Sequence, residues 1–162
     1  MAPEAKKAPK NAMVLAAGLG LRMRPITDKT PKPMVKVANR TLLDCALDRL
    51  VAVGVQKAVV NAHHLGDQII DHLKFRRDLE IIISDETDLL LETGGGVKKA
   101  LPNLGNEPFY VVNSDVLWLN SNTDALQRLA DLCLVYRRFR HAAFDRSGFH
   151  GAGDRSLCLV LQ

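Results

Sequence analysis

Aromatic residues are scarce in this chain, making up 5% of its 162 positions. A stacking platform for nucleic-acid bases needs aromatic rings beside a basic groove, and here the lysines and arginines are interspersed with acids despite a formal charge of +4. No nucleic-acid partner is expected. Cysteine is equally sparse. Cys45, Cys133 and Cys158 stand far apart without a Cys-x-x-Cys pair, so neither a zinc site nor a disulfide framework is indicated, and a reducing cytoplasm fits. No apolar run reaches eighteen residues, so no membrane-spanning helix is expected. Residues 1–10 carry three lysines with no apolar core behind them, which argues against a secretory signal and predicts a disordered lead-in.

The standard nucleotide loops are missing too. Gly18 and Gly20 begin a Gly-x-Gly-x-x-Gly spacing, but Met23 takes the last place, and Asn61 ends the second predicted strand where a ribose-binding acid would stand. No Gly-Lys-Thr follows Gly18 at Walker-loop spacing. A Ser/His/Asp constellation is also lacking.

Nearly half the residues are apolar (47%) and a quarter charged (25%), in a length suited to one domain. Short apolar runs alternate with amphipathic ones. Strands are predicted at 11–17, 57–62, 79–84 and 108–115. Helices are predicted at 41–53, with Leu43, Leu47, Leu50 and Val51 on one face and Gly54 as the terminal glycine, and then around Leu65, Ile69, Ile70 and Leu73. A short helix follows Gly94–Gly96 through Leu101, and another covers 124–131. This alternation predicts an α/β fold, a Rossmann-like three-layer αβα sandwich on a mostly parallel sheet. Ligands bind such sheets beyond the carboxyl ends of the strands, which would gather the 18–34 loop, the 85–96 loop and Asp115 at one edge.

The 15–34 stretch, "LAAGLGLRMRPITDKTPKPM", holds two glycines, three prolines and four cations. Glycines directly after a strand allow backbone to approach a bulky anion such as phosphate. Arg22 offers a bidentate fork, and Lys32, fixed between Pro31 and Pro33, a point charge on a stiff extended segment. His63 and His64 lack a third nearby ligand and read as loop or sugar-pocket residues. Asp85, Glu86 and Asp88 read as a solvated acidic face, and Trp118 as a packing residue near the pocket.

Gly18-x-Gly20-x-Arg22-Met23-x-Pro25-x-Thr27 with Pro31-Lys32-Pro33-Met34, "VVNAHHLGDQI", "ETGGGVKKAL" and "VVNSD" together resemble the motifs of sugar-1-phosphate nucleotidyltransferases, in order, over about residues 11–131. The "LETGGG" form is most similar to mannose-1-phosphate guanylyltransferases and N-acetylmuramate 1-phosphate uridylyltransferases. The resemblance implies a transferase that joins a nucleoside monophosphate from UTP or GTP to a sugar 1-phosphate. It also implies Gly18 and Gly20 at the nucleotide phosphates, Arg22 and Lys32 as catalytic cations, and Ala16, Ala17, Thr93 and Gly94 near base and ribose. Asp115 would be the Mg²⁺ ligand.

Beyond residue 131 the resemblance stops. Residues 132–162 have five arginines and no lysine, against ten lysines and seven arginines before them. The shift predicts a frameshifted, truncated or mispredicted terminus and an incomplete C-terminal half, without the family's sugar-phosphate lysine and second acidic Mg²⁺ ligand. The alternative function is a nucleotide-binding remnant or regulatory pseudoenzyme.

Overall fold

The computed structural model describes residues 8–120 and 122–132, and the backbone of 158–161. Its main sheet has the order β5-β4-β1-β6-β7, with every neighbouring pair parallel. The strands are β1 (Asn11–Leu15), β4 (Lys57–Ala62), β5 (Glu80–Asp85), β6 (Phe109–Asn113) and β7 (Cys158–Leu161). A separate two-stranded hairpin, β2 (Lys36–Val37) with β3 (Arg40–Thr41), turns through Ala38 and Asn39, both at positive φ. The sequence reading missed this hairpin because Ala-Asn is a weak signal for so tight a turn.

Successive side chains of a strand point to opposite faces, and β1 shows how this builds two cores. Ala12, Val14 and Ala16 join Leu43, Leu47 and Leu50 of α1 (Leu42–Ala52), Ile69 and Leu73 of α2 (Gly66–Leu73), and Leu126 and Ala130 of α4 (125–132) on one face. Met13 faces the other way with Val59, Phe109 and Val111, against Ala100 and Leu104 of α3 (Glu92–Leu104). The three-layer αβα arrangement is as expected.

Local signals explain the ends of the helices. Thr41 Oγ1 accepts from Asp44 N at 3.0 Å to cap α1, a contact worth about 1 kcal/mol. Gly54, at φ 86°, follows the helix, and Val55 N donates back to Leu50 O at 3.0 Å. Asp124 Oδ1 accepts from Leu126 N at 2.9 Å at the start of α4.

Two expectations are corrected. The composition shift after residue 131 predicts an atypical tail outside the family's sheet, yet "CLVL" lies parallel to β6 with Phe109 opposite Cys158. An apolar run of four is a short strand signal, and the arginine count of the whole tail hid it. Residues 133–157 and 162 lie outside the described residues. At the other terminus, Pro9 is buried and the Lys10 carbonyl accepts from Gln56 N at 2.8 Å and Lys57 N at 3.2 Å, so residues 9 and 10 belong to the fold, against the disorder expected of them. Residues 1–7 lie outside the described set.

Candidate active site

From β1 the chain runs to β4 and β5 on one side, then crosses back to place β6 on the other. Neighbouring connections therefore diverge between β1 and β6, the switch point where open α/β sheets bind ligands. A cavity of about 400 Å³ lies there, lined among others by Ala16, Ala17, Gly18, Lys32, Thr93 and Asp115. Those are six of the nine residues singled out from sequence. Gly20, Arg22 and Gly94 are not in its lining.

The glycine loop is not uniform. A Cβ on Gly18 would meet nothing within 4 Å, so its backbone faces open space. Gly20 stands at φ 65°, and a Cβ there would come within 2.8 Å of Thr27 Cγ2. Its glycine is thus demanded by the turn and by the loop's own packing. Buried Thr27 donates to the Gly20 carbonyl at 2.8 Å, and its own carbonyl accepts from His64 Nε2 at 3.0 Å. Gln68 of α2 donates to Lys29 O at 3.0 Å. The loop is held from behind by α2 and the turn that leads into it.

Pro31 is extended, but Lys32–Met34 forms a 3₁₀ turn with Pro33 buried in it. The expected extended Pro-Lys-Pro rod is therefore corrected to a bend, which places Lys32 Nζ on the Asp115 carboxylate just past the end of β6. Arg24 pairs with Asp28 at 3.1 Å on the surface. Arg22 is exposed and has no hydrogen bond or ion pair with the described residues.

The glycine run is corrected as well. Gly94, Gly95 and Gly96 lie inside the first turns of α3, not before it. No side chain caps this helix, so the first-turn N–H groups beside Thr93 are donors without a helical acceptor. Glu92, at φ 55°, lines the cavity in a conformation that costs a non-glycine residue free energy. Gly94 is open to solvent, with nothing within 4 Å of an added Cβ.

The acidic 85–88 segment is only partly a solvated face. Asp88 is exposed, and Thr87 gives Asp85 both its hydroxyl and its backbone N–H, which hold the Asp85 carboxyl below the usual range. Glu86 is 1% exposed. Sequence reasoning missed it because buried and solvated glutamates look alike in a loop. His63 Nδ1 donates to Glu86 O at 2.7 Å, and Trp118 packs against the larger core as expected. No group of three or more metal-ligating side chains occurs among the described residues. A larger depression of about 620 Å³ at the opposite end of the sheet includes Arg76, whose guanidinium is satisfied by Asp44, Asp48 and Asp78. It holds none of the predicted residues.

The sequence pattern of the family described as nucleotidyl transferase matches residues 11–133. The chain belongs to that family. It is 44% identical over 160 residues to the N-acetylmuramate alpha-1-phosphate uridylyltransferase of Caulobacter vibrioides, covering 91% of this chain and 64% of that protein. It is 36% identical over 110 residues to the mannose-1-phosphate guanylyltransferase catalytic subunit beta of Drosophila pseudoobscura pseudoobscura, covering 65% of this chain and 30% of the other. The fold matches a UDP-glucose pyrophosphorylase solved with UDP-glucose, with a TM-score of 0.69 at 22% identity over 79% of this chain and 54% of that one. This nucleotidyl transferase chain thus spans under two thirds of the length of these relatives. No helix among the described residues is long and apolar enough to cross a membrane.

Proposed function

We propose that this chain transfers a nucleoside monophosphate from a nucleoside triphosphate to a sugar 1-phosphate, releasing pyrophosphate. The observation that carries the reading is the convergence of Gly18, Lys32, Thr93 and Asp115 on one cavity at the sheet's switch point. UTP with N-acetylmuramate 1-phosphate is the first pair to test, on the strength of the Caulobacter relative; GTP with mannose 1-phosphate is the second. The free Cys45 suits a reducing cytoplasm.

A phosphate monoester is already ionised at neutral pH, so its oxygen attacks the α-phosphorus without a general base. The bond from that phosphorus to the pyrophosphate oxygen breaks in line. What the protein supplies is position and charge. Gly18 lets backbone approach the phosphates, Lys32 and Arg22 neutralise them, and the α3 N-terminus with Ala16, Ala17, Thr93 and Gly94 faces base and ribose. Asp115 suits Mg²⁺, which takes one or two carboxylates together with substrate phosphates and water; bound there, the ion would neutralise phosphate charge.

Pyrophosphate release with each substrate pair, beside calorimetry with UTP, GTP and dTTP, tests this. Release with either pair supports transfer. Nucleotide binding without release favours a nucleotide-binding or regulatory role. A folded sample that binds none of the three sinks both.

A further inference from the structure

A polar pair that the proposed chemistry does not use stands at the back of the cavity, Asn61 in its lining and Glu86 behind it. Asn61, 3% exposed, is the penultimate residue of β4, and Glu86, 1% exposed, follows β5. Asn61 Oδ1 accepts from Ala16 N at 2.6 Å, and its Nδ2 donates to Glu86 Oε1 at 2.9 Å. Glu86 Oε2 accepts from Leu91 N at 3.1 Å. No arginine, lysine or histidine side chain forms an ion pair with Glu86 among the described residues. Its carboxylate oxygens accept from two N–H groups in place of a counter-ion.

The two ends of this relay are the two walls of the cavity. Ala16 opens the wall that continues to Gly18, while Leu91 immediately precedes Glu92 and Thr93 on the other. The helix is built around the pair: a Cβ on Gly96 would lie 2.9 Å from Glu86 Oε1 and 3.0 Å from Asn61 Nδ2. Ala16 N–H, an N–H of the Asn61 amide and Leu91 N–H each meet an acceptor in this chain, and only one orientation of the amide allows it.

The geometry points to Asn61 and Glu86 as positioning residues that fix the spacing of the two cavity walls by hydrogen-bond polarity, and hence set nucleotide affinity. This rests on the nucleotide reading of the cavity. It makes a demand that packing alone does not. Glu86→Gln sets an amide donor against either Asn61 Nδ2 or Leu91 N, and Asn61→Asp sets two carboxylates face to face. The double variant Asn61→Asp/Glu86→Gln restores complementarity: Asp takes Ala16 N–H and the glutamine amide, and the glutamine oxygen takes Leu91 N–H.

The experiment measures Kd for UTP and GTP with Mg²⁺ by calorimetry, with hydrogen exchange at the Ala16 and Leu91 amides, on folded protein. Each single variant is expected to weaken binding about tenfold or more and expose one of the two amides, as a buried donor or acceptor left unpaired requires. The double variant is expected to return most of the affinity and protection. Gly96→Ala leaves both polar groups in place but presses on them, and is expected to weaken binding with the singles. Singles that bind like the parent, or a double variant no better than its singles, overturn the relay while the nucleotide reading stands. A parent chain that binds neither nucleotide overturns that reading, and the purpose of the relay with it.

Discussion

Lys32 and Asp115 lie 83 residues apart in the chain and meet as an ion pair on the cavity wall, their side chains 24% and 28% exposed. The partnership is accessible, so an anionic phosphate can compete for the ammonium and a cation for the carboxylate. Under the proposed function, nucleotide and Mg²⁺ exchange one pair for two.

Asp115→Asn removes the carboxylate and leaves Lys32 to the phosphates. UTP affinity in chelator is expected to hold or rise, while the gain on adding Mg²⁺ largely disappears and turnover falls about a hundredfold or more. Calorimetry with and without Mg²⁺ checks this. An undiminished Mg²⁺ gain would move the metal away from Asp115.

Arg22→Ala separates chemistry from folding. The side chain is exposed and makes no hydrogen bond or ion pair with the described residues, so stability should change by no more than about 0.5 kcal/mol. Pyrophosphate release should drop about a hundredfold. Chemical denaturation beside the release assay tests both, and a variant that unfolds would make Arg22 structural.

A third prediction concerns acid. Burial raises the Asp44 pKa, but hydrogen bonds from Thr41 and His72 and the charges of His72 and Arg76 outweigh it, and the net shift is downward. A carboxyl lowered in the folded state stabilises fully above its unfolded value near ~3.9, and that contribution fades as pH falls through the folded value. Asp44→Asn should therefore cost about 1 kcal/mol or more at neutral pH, the price of a charged hydrogen bond. Its stability should also decline less steeply than the parent's below about pH 4. Urea denaturation at several pH values reads this, and parallel curves would remove Asp44 from the acid response.

Much of the fold was legible in the chain because each element announces itself locally. Apolar runs such as "KAVVNA" become buried parallel strands, the Leu43, Leu47 and Leu50 stripe becomes a helix face, and Gly54 ends that helix with the positive φ glycine tolerates. Periodicity and backbone freedom are properties of a few adjacent residues, so they survive without the structure. The Ala38-Asn39 turn and the strand at Cys158–Leu161 escaped because their signals span only two and four residues.

That the 18–34 loop, the 85–96 loop and Asp115 share one edge followed from sequence through the rule for strand ends, and Gly18, Lys32, Thr93 and Asp115 line one cavity there. Only the tertiary structure decided what each partner is. Lys32 could have been a solvated loop cation, and it is the bend at Pro33 that delivers it to Asp115. Glu86 could have belonged to an acidic surface, and its burial is possible because Asn61 and the Leu91 amide satisfy its oxygens. A charged side chain carries the same letter whether water or protein solvates it. Which of the two does so depends on groups brought in from distant parts of the chain.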